Sequence, residues 1–204
     1  FCKFALWTKN ATNNMINHIF KGLGVALITP FNEDDSIDYT ALGNIIDYQV
    51  NNGIDYMVVL GTTGETPTLS EEEKKEVVRF TVERIAGRVP VVLGVGGNNT
   101  SAIVKKLKTD DFTGIDGILS VVPYYNKPSQ EGIYIHFKMI DKVSIKPIII
   151  YNVYSRCGVE TSFNTIIRLY HDCNHIVGLK HASSNISLIS SLKKEMPNFL
   201  VYGG

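Results

Sequence analysis

Ile176-Val177-Gly178-Leu179-Lys180, continuing into His181-Ala182-Ser183-Ser184, is a short apolar run that ends on a primary amine and breaks into small polar residues. Such a run reads as a buried strand entering a loop. α/β proteins place their chemistry at the carboxyl ends of strands. An amine held there loses hydration, its pKa falls, and the neutral form can attack a carbonyl to give a Schiff base. A strand-end lysine that snorkels to water or pairs with an acid is the blander reading, and structural lysines outnumber catalytic ones. The rest of the chain decides between them.

Outward from Lys180, similar runs recur at Gly24–Thr29, Tyr56–Leu60, Pro90–Gly94, Gly117–Val122, Pro147–Asn152, Ile176–Lys180 and Phe199–Tyr202. They are rich in Val, Ile and Leu without polar alternation, the pattern of strands buried on both faces of a parallel sheet. Helix patterns lie between them. Asp38 opens Tyr39–Asn52 with Gly53 at its end, and Ser70-Glu71-Glu72-Glu73 forms a capping box for a helix that Gly87 closes. Thr100, Ser129 and Ser162 open the next three, and Asn185 or Ser187 the last.

Repeated βα units build either an open doubly wound sheet or a closed barrel. Polar residues stand after nearly every strand (Thr62, Thr63, Tyr124, Tyr125, Tyr151, Lys180), whereas an open sheet concentrates them at one switch point. Gly94-Val95-Gly96-Gly97 lacks the third glycine of a dinucleotide loop. The pattern therefore favours a TIM (β/α)8 barrel. Seven strands are legible in 204 residues, where such a barrel needs eight and usually about 250 residues. The expectation is a barrel truncated after strand seven, with residues 1–14 an upstream or disordered segment, Met15 the natural start and 15–204 an incomplete barrel domain.

Twenty basic and twenty acidic residues cancel, which argues against nucleic acid or an anionic membrane surface as partner. No apolar stretch is long enough to span a bilayer, and three scattered cysteines suit a reducing cytoplasm. His171-Asp172-Cys173-Asn174-His175 superficially resembles a metal cluster but reads as a solvated turn, and Cys157 as an incidental small residue.

Four segments converge on the expected mouth. Gly61-Thr62-Thr63-Gly64-Glu65 offers hydroxyls and backbone amides for a carboxylate, though it could be an ordinary turn. Tyr124-Tyr125 follows strand four and could equally be interface packing; Tyr151 to Arg156 follows strand five; Lys180 follows strand six. Together they supply an amine nucleophile, phenol and hydroxyl groups for proton transfer, and a guanidinium for a second carboxylate. A Schiff-base aldol reaction on a 2-oxo acid requires that set.

The stretches GVALITPF (24–31), GTTGETPTLS (61–70), RVPVVLGVGGNNT (88–100), VVPYYNKPSQEG (121–132), IIYNVYSRCG (149–158) and IVGLKHASS (176–184) resemble the dihydrodipicolinate synthase family of pyruvate-dependent class I aldolases. The resemblance implies that Lys180 forms the Schiff base with pyruvate and that Tyr151 is the general acid/base. It implies that Thr62 links Tyr151 to Tyr125, the latter reaching in from a neighbouring subunit. Thr63 would hold the pyruvate carboxylate, and Arg156 the carboxylate of L-aspartate 4-semialdehyde. It further implies a homotetramer built from tight dimers, lysine and diaminopimelate synthesis as the role, and no metal or organic cofactor. Tyr154 departs from the proline or small residue usual in the family, and His181 from an acid. Other readings are a neuraminate lyase-like or other 2-oxo acid aldolase, or a non-catalytic truncated relative.

Overall fold

The computed structural model describes residues 19–204, so the readings of residues 1–14 and of Met15 lie outside the described residues. The chain alternates strands and helices and divides into two compact units. One comprises Ile19–Gly94 with Phe112–Gly117; the other contains Val95–Asp111 and Ile118–Gly204.

The first unit carries β1 (Gly24–Ala26), β2 (Tyr56–Val59) and β3 (Val91–Gly94), paired in parallel in that order. β2 is buried along its whole length, as expected of a strand covered on both faces. Two helices follow their strands. α1 (Tyr39–Asn51) starts on Asp38, whose carboxylate accepts from the Ala41 amide at 2.8 Å. α2 (Glu71–Ile85) has the reciprocal capping box of Ser70 and Glu73, with three glutamates in its first turn facing the positive end of the helix dipole. Leu42 and Ile46 of α1 and Val77 and Ile85 of α2 are the buried stripes of these helices.

The second unit carries β4 (Gly117–Val121) from Ile118 onward, with β5 (Ile148–Asn152), β6 (Ile176–His181) and β7 (Leu200–Gly203), again paired in parallel in sequence order. Its helices are α3 (Thr100–Thr109), α4 (Gln130–Asp141), the single turn α5 (Tyr154–Cys157), α6 (Phe163–Asp172) and α7 (Ile186–Glu195). Ser129 and Ser162 cap α4 and α6 as their positions suggest. Asn99, one residue before Thr100, caps α3. Phe137, Ile140, Ile166, Leu169, Ile176 and Leu179 are wholly buried here, and truncating such a side chain to alanine costs roughly 2–5 kcal/mol.

The glycines near 94–97 have a packing role that needs no phosphate. A Cβ on Gly94 would lie 2.0 Å from the Leu60 carbonyl oxygen, and one on Gly96 would lie 2.9 Å from the Val121 amide nitrogen. Close backbone approach between neighbouring segments, in each unit separately, accounts for both.

Candidate active site

Lys180 and Tyr151 are placed together by strand register. β5 and β6 pair Tyr151 with Lys180 and Asn152 with His181. Side chains alternate across a strand, so Tyr151 and Lys180 share one face of the sheet while Asn152 and His181 share the other. Lys180 Nζ stands 4.7 Å from the centre of the Tyr151 ring, and Tyr151 is buried. The amine is half-buried, and burial lowers its pKa from the ordinary lysine value. Among the described residues it makes no hydrogen bond or ion pair.

The opposite face is a polar network. His181 Nδ1 lies 3.3 Å from Asn152 Nδ2, and its Nε2 lies 3.1 Å from the Asn185 carbonyl oxygen and 4.0 Å from a Glu160 carboxylate oxygen. Asn152 Oδ1 in turn accepts from the Thr161 amide at 2.9 Å. His181 is Lys180's neighbour in sequence yet is separated from it by the pleat, and Asn152 is not among the residues that the sequence singles out. Strict alternation on either side of Lys180 and Tyr151 was the signal that separates the two faces.

Tyr125 and Arg156 lie in the same unit but on exposed loops. Tyr125 follows β4 with φ 73, a left-handed conformation costly for a bulky residue, and is 84% exposed. Arg156 stands in α5, which ends at Gly158 with φ 66. A Cβ on Gly158 would lie 2.7 Å from Lys127 Cε, so the two loops bearing Tyr125 and Arg156 approach each other through the Lys127 stem. Tyr154 opens α5 and is 57% exposed, while Cys157 is buried, with its thiol pushed up by burial and its Sγ 3.5 Å from the Val122 carbonyl oxygen.

Thr62 and Thr63 belong to the other unit. They form a 3-10 turn with Gly64 directly after β2, and their side chains are exposed. The turn is fastened beneath them, because Thr29 Oγ1 donates to the Gly64 carbonyl at 2.8 Å and Thr66 Oγ1 to the Gly61 carbonyl at 3.0 Å. Among the described residues the Thr62 and Thr63 hydroxyls make no hydrogen bond, which leaves both uncommitted.

The turn at 171–175 is more firmly built than a solvated one. Cys173 is wholly buried, and Asp172 accepts from the Tyr134 hydroxyl at 2.6 Å. Asp141 accepts from the His175 and Asn174 amides at 2.6 and 3.1 Å, which ties the entry of β6 to the end of α4. Burial acts to raise the Asp141 pKa, but its hydrogen bonds from His175 and Asn174 outweigh that and hold the carboxyl below the usual range.

The family described as "Dihydrodipicolinate synthetase family" matches residues 19–204. The 4-hydroxy-tetrahydrodipicolinate synthase of Parabacteroides distasonis is 58% identical over 177 residues, covering 87% of this chain and 60% of the relative. The solved dihydrodipicolinate synthase of Aquifex aeolicus is 47% identical with a TM-score of 0.85, covering 91% of this chain and 63% of that one. The Acinetobacter baumannii enzyme, solved in complex with pyruvate, is 36% identical with a TM-score of 0.85, covering 90% and 63%. The chain thus spans about three-fifths of the length of the relatives it matches (60% and 63% of these).

Proposed function

The chain belongs to the dihydrodipicolinate synthetase family, and on that premise we propose that it condenses pyruvate with L-aspartate 4-semialdehyde to give 4-hydroxy-tetrahydrodipicolinate. The observation that carries the reading is the half-buried Lys180 amine, without an acidic partner among the described residues, on the same face as Tyr151.

The neutral amine of Lys180 attacks the pyruvate ketone, and loss of water gives the imine. Burial favours this step because it raises the fraction of neutral amine. Tyr151 passes the protons, assisting loss of the hydroxyl from the carbinolamine and removal of a methyl proton to form the enamine. The enamine carbon then bonds to the aldehyde carbon of the semialdehyde, and the aldehyde oxygen takes up a proton. Attack by the semialdehyde's own amine on the imine carbon closes the ring and releases Lys180. As the family resemblance implies, Thr63 would hold the pyruvate carboxylate, Arg156 that of the second substrate, and Thr62 would link Tyr151 to Tyr125. In this scheme each role falls to a side chain, and it calls on no metal or organic cofactor.

The exposed, left-handed Tyr125 suits a residue that serves a neighbouring copy of the chain, in a homotetramer of tight dimers. None of the described helices is long and apolar enough to cross a membrane. On this proposal the enzyme works in the cytoplasm, in lysine and diaminopimelate synthesis. A substrate panel tests the reading. Consumption of aspartate semialdehyde with pyruvate supports it. Cleavage of N-acetylneuraminate without that activity would move the chain to the lyase branch.

A further inference from the structure

We propose that Gly204 is a positioning residue for Lys180, and that its missing side chain leaves the space the lysine stem occupies. β6 and β7 pair Lys180 with Tyr202 and His181 with Gly203, and the Gly204 amide donates to the His181 carbonyl at 3.2 Å. This bond sets the backbone of Gly204 against the end of β6. A Cβ added there would lie 2.7 Å from Lys180 Cε, 3.3 Å from its Cγ and 3.6 Å from Ala182 Cβ. Carbon atoms rest at about 3.5–4.0 Å, so a methyl group and the present stem cannot coexist. The stem is bounded by β7 on one side and β5 on the other, where Nζ stands 4.7 Å from the Tyr151 ring centre.

A clash with a flexible lysine stem is relieved by rotation, at little cost to the fold. The effect falls instead on where the amine ends up. The proposal rests on Lys180 being the nucleophile, and a misplacement of ~1 Å can lower a rate by about a hundredfold. The neighbouring glycine supplies a control, since a Cβ on Gly203 would meet nothing within 4 Å.

The test is borohydride trapping of pyruvate on the purified chain, comparing Gly204→Ala and Gly203→Ala with the parent, alongside thermal unfolding of all three. The expected result is a tenfold or greater fall in trapping rate for Gly204→Ala, with parental trapping for Gly203→Ala and an unchanged unfolding midpoint. The pH profile of trapping should also shift in Gly204→Ala, which a purely structural defect would not produce. Parental trapping by Gly204→Ala overturns the proposal, as does an equal fall in both variants or a fall matched by lost stability. If the parent itself traps no pyruvate, the assignment of Lys180 as nucleophile fails. Competitive acylation by acetic anhydride then reads the position of the amine directly. A changed acylation rate at Lys180 in Gly204→Ala alone sustains the steric claim, and an unchanged one overturns it.

Discussion

Tyr151 and Lys180 are register partners across β5 and β6, and the lysine Nζ lies 4.7 Å from the centre of the tyrosine ring. Two strands that meet in one register therefore set a phenol beside an amine. The amine carries no counter-charge among the described residues, and half-burial shifts its equilibrium toward the neutral form.

That arrangement costs stability. A buried amine releases its proton at lower pH in the folded chain than the unfolded value of 10.5, so the penalty is complete below the folded pKa. It is relieved as pH rises toward 10.5. Lys180→Met should therefore raise the unfolding midpoint at neutral pH, with an advantage that shrinks as the solution becomes alkaline. Denaturant titrations at pH 7 and above check both the sign and the trend.

His181 stands 4.0 Å from Glu160 on the far face of β6. Installing at this position the acid that the family resemblance suggests would set two carboxylates together in a buried site. His181→Glu should destabilise the chain by on the order of 3 kcal/mol, since an uncompensated buried charge costs that much. His181→Gln keeps hydrogen-bonding capacity and should stay near the parent. Chemical unfolding of the two variants distinguishes them, and equal stability would contradict the network as described.

His136 on α4 is buried, with Nδ1 2.8 Å from the Thr100 hydroxyl and Nε2 without a partner among the described residues. Burial pushes its pKa down to about 4 from 6.5. The unfolded chain binds the proton first, so stability falls as pH drops from 6.5 to about 4 and this contribution is level on either side. A shift of that size is worth roughly 3 kcal/mol between the plateaus. His136→Gln should flatten that part of the stability profile relative to the parent, as measured by denaturant unfolding at several pH values.

Much of this was legible in the residues. β2 and the leading residues of β5 and β6 are continuous apolar runs, and burial on both faces explains why they carry no alternation. Asp38, Ser70, Ser129 and Ser162 announced their helices because a short polar side chain satisfies the first free amides. The limits of elements were less legible. β1 ends at Ala26 rather than Thr29, although the Leu27 amide still donates to the Val58 carbonyl at 2.9 Å. β3 starts at Val91 because Pro90 has no amide to give, while its carbonyl accepts from Met57. α2 ends at Ile85, and its C-cap falls on Ala86, one residue before the expected glycine and already left-handed at φ 51. The turn α5 was invisible, since four residues carry no period.

The candidate residues were found by their positions at or after the ends of strands; Lys180 and Tyr151 lie within β6 and β5 rather than after them, and they share a face. What could not be read was contact made across strands. The Asn152–His181–Glu160 network and the close approach of Gly204 to Lys180 join residues far apart in sequence. Neither has a local pattern, because register between strands, not spacing along the chain, brings them together.

The measurement that bears most directly on the account is borohydride reduction in the presence of pyruvate, followed by proteolysis and mass mapping. A single pyruvate-derived adduct is expected on the peptide carrying Lys180, absent from Lys180→Met. An adduct on another lysine, or none in a chain that unfolds cooperatively, would contradict it.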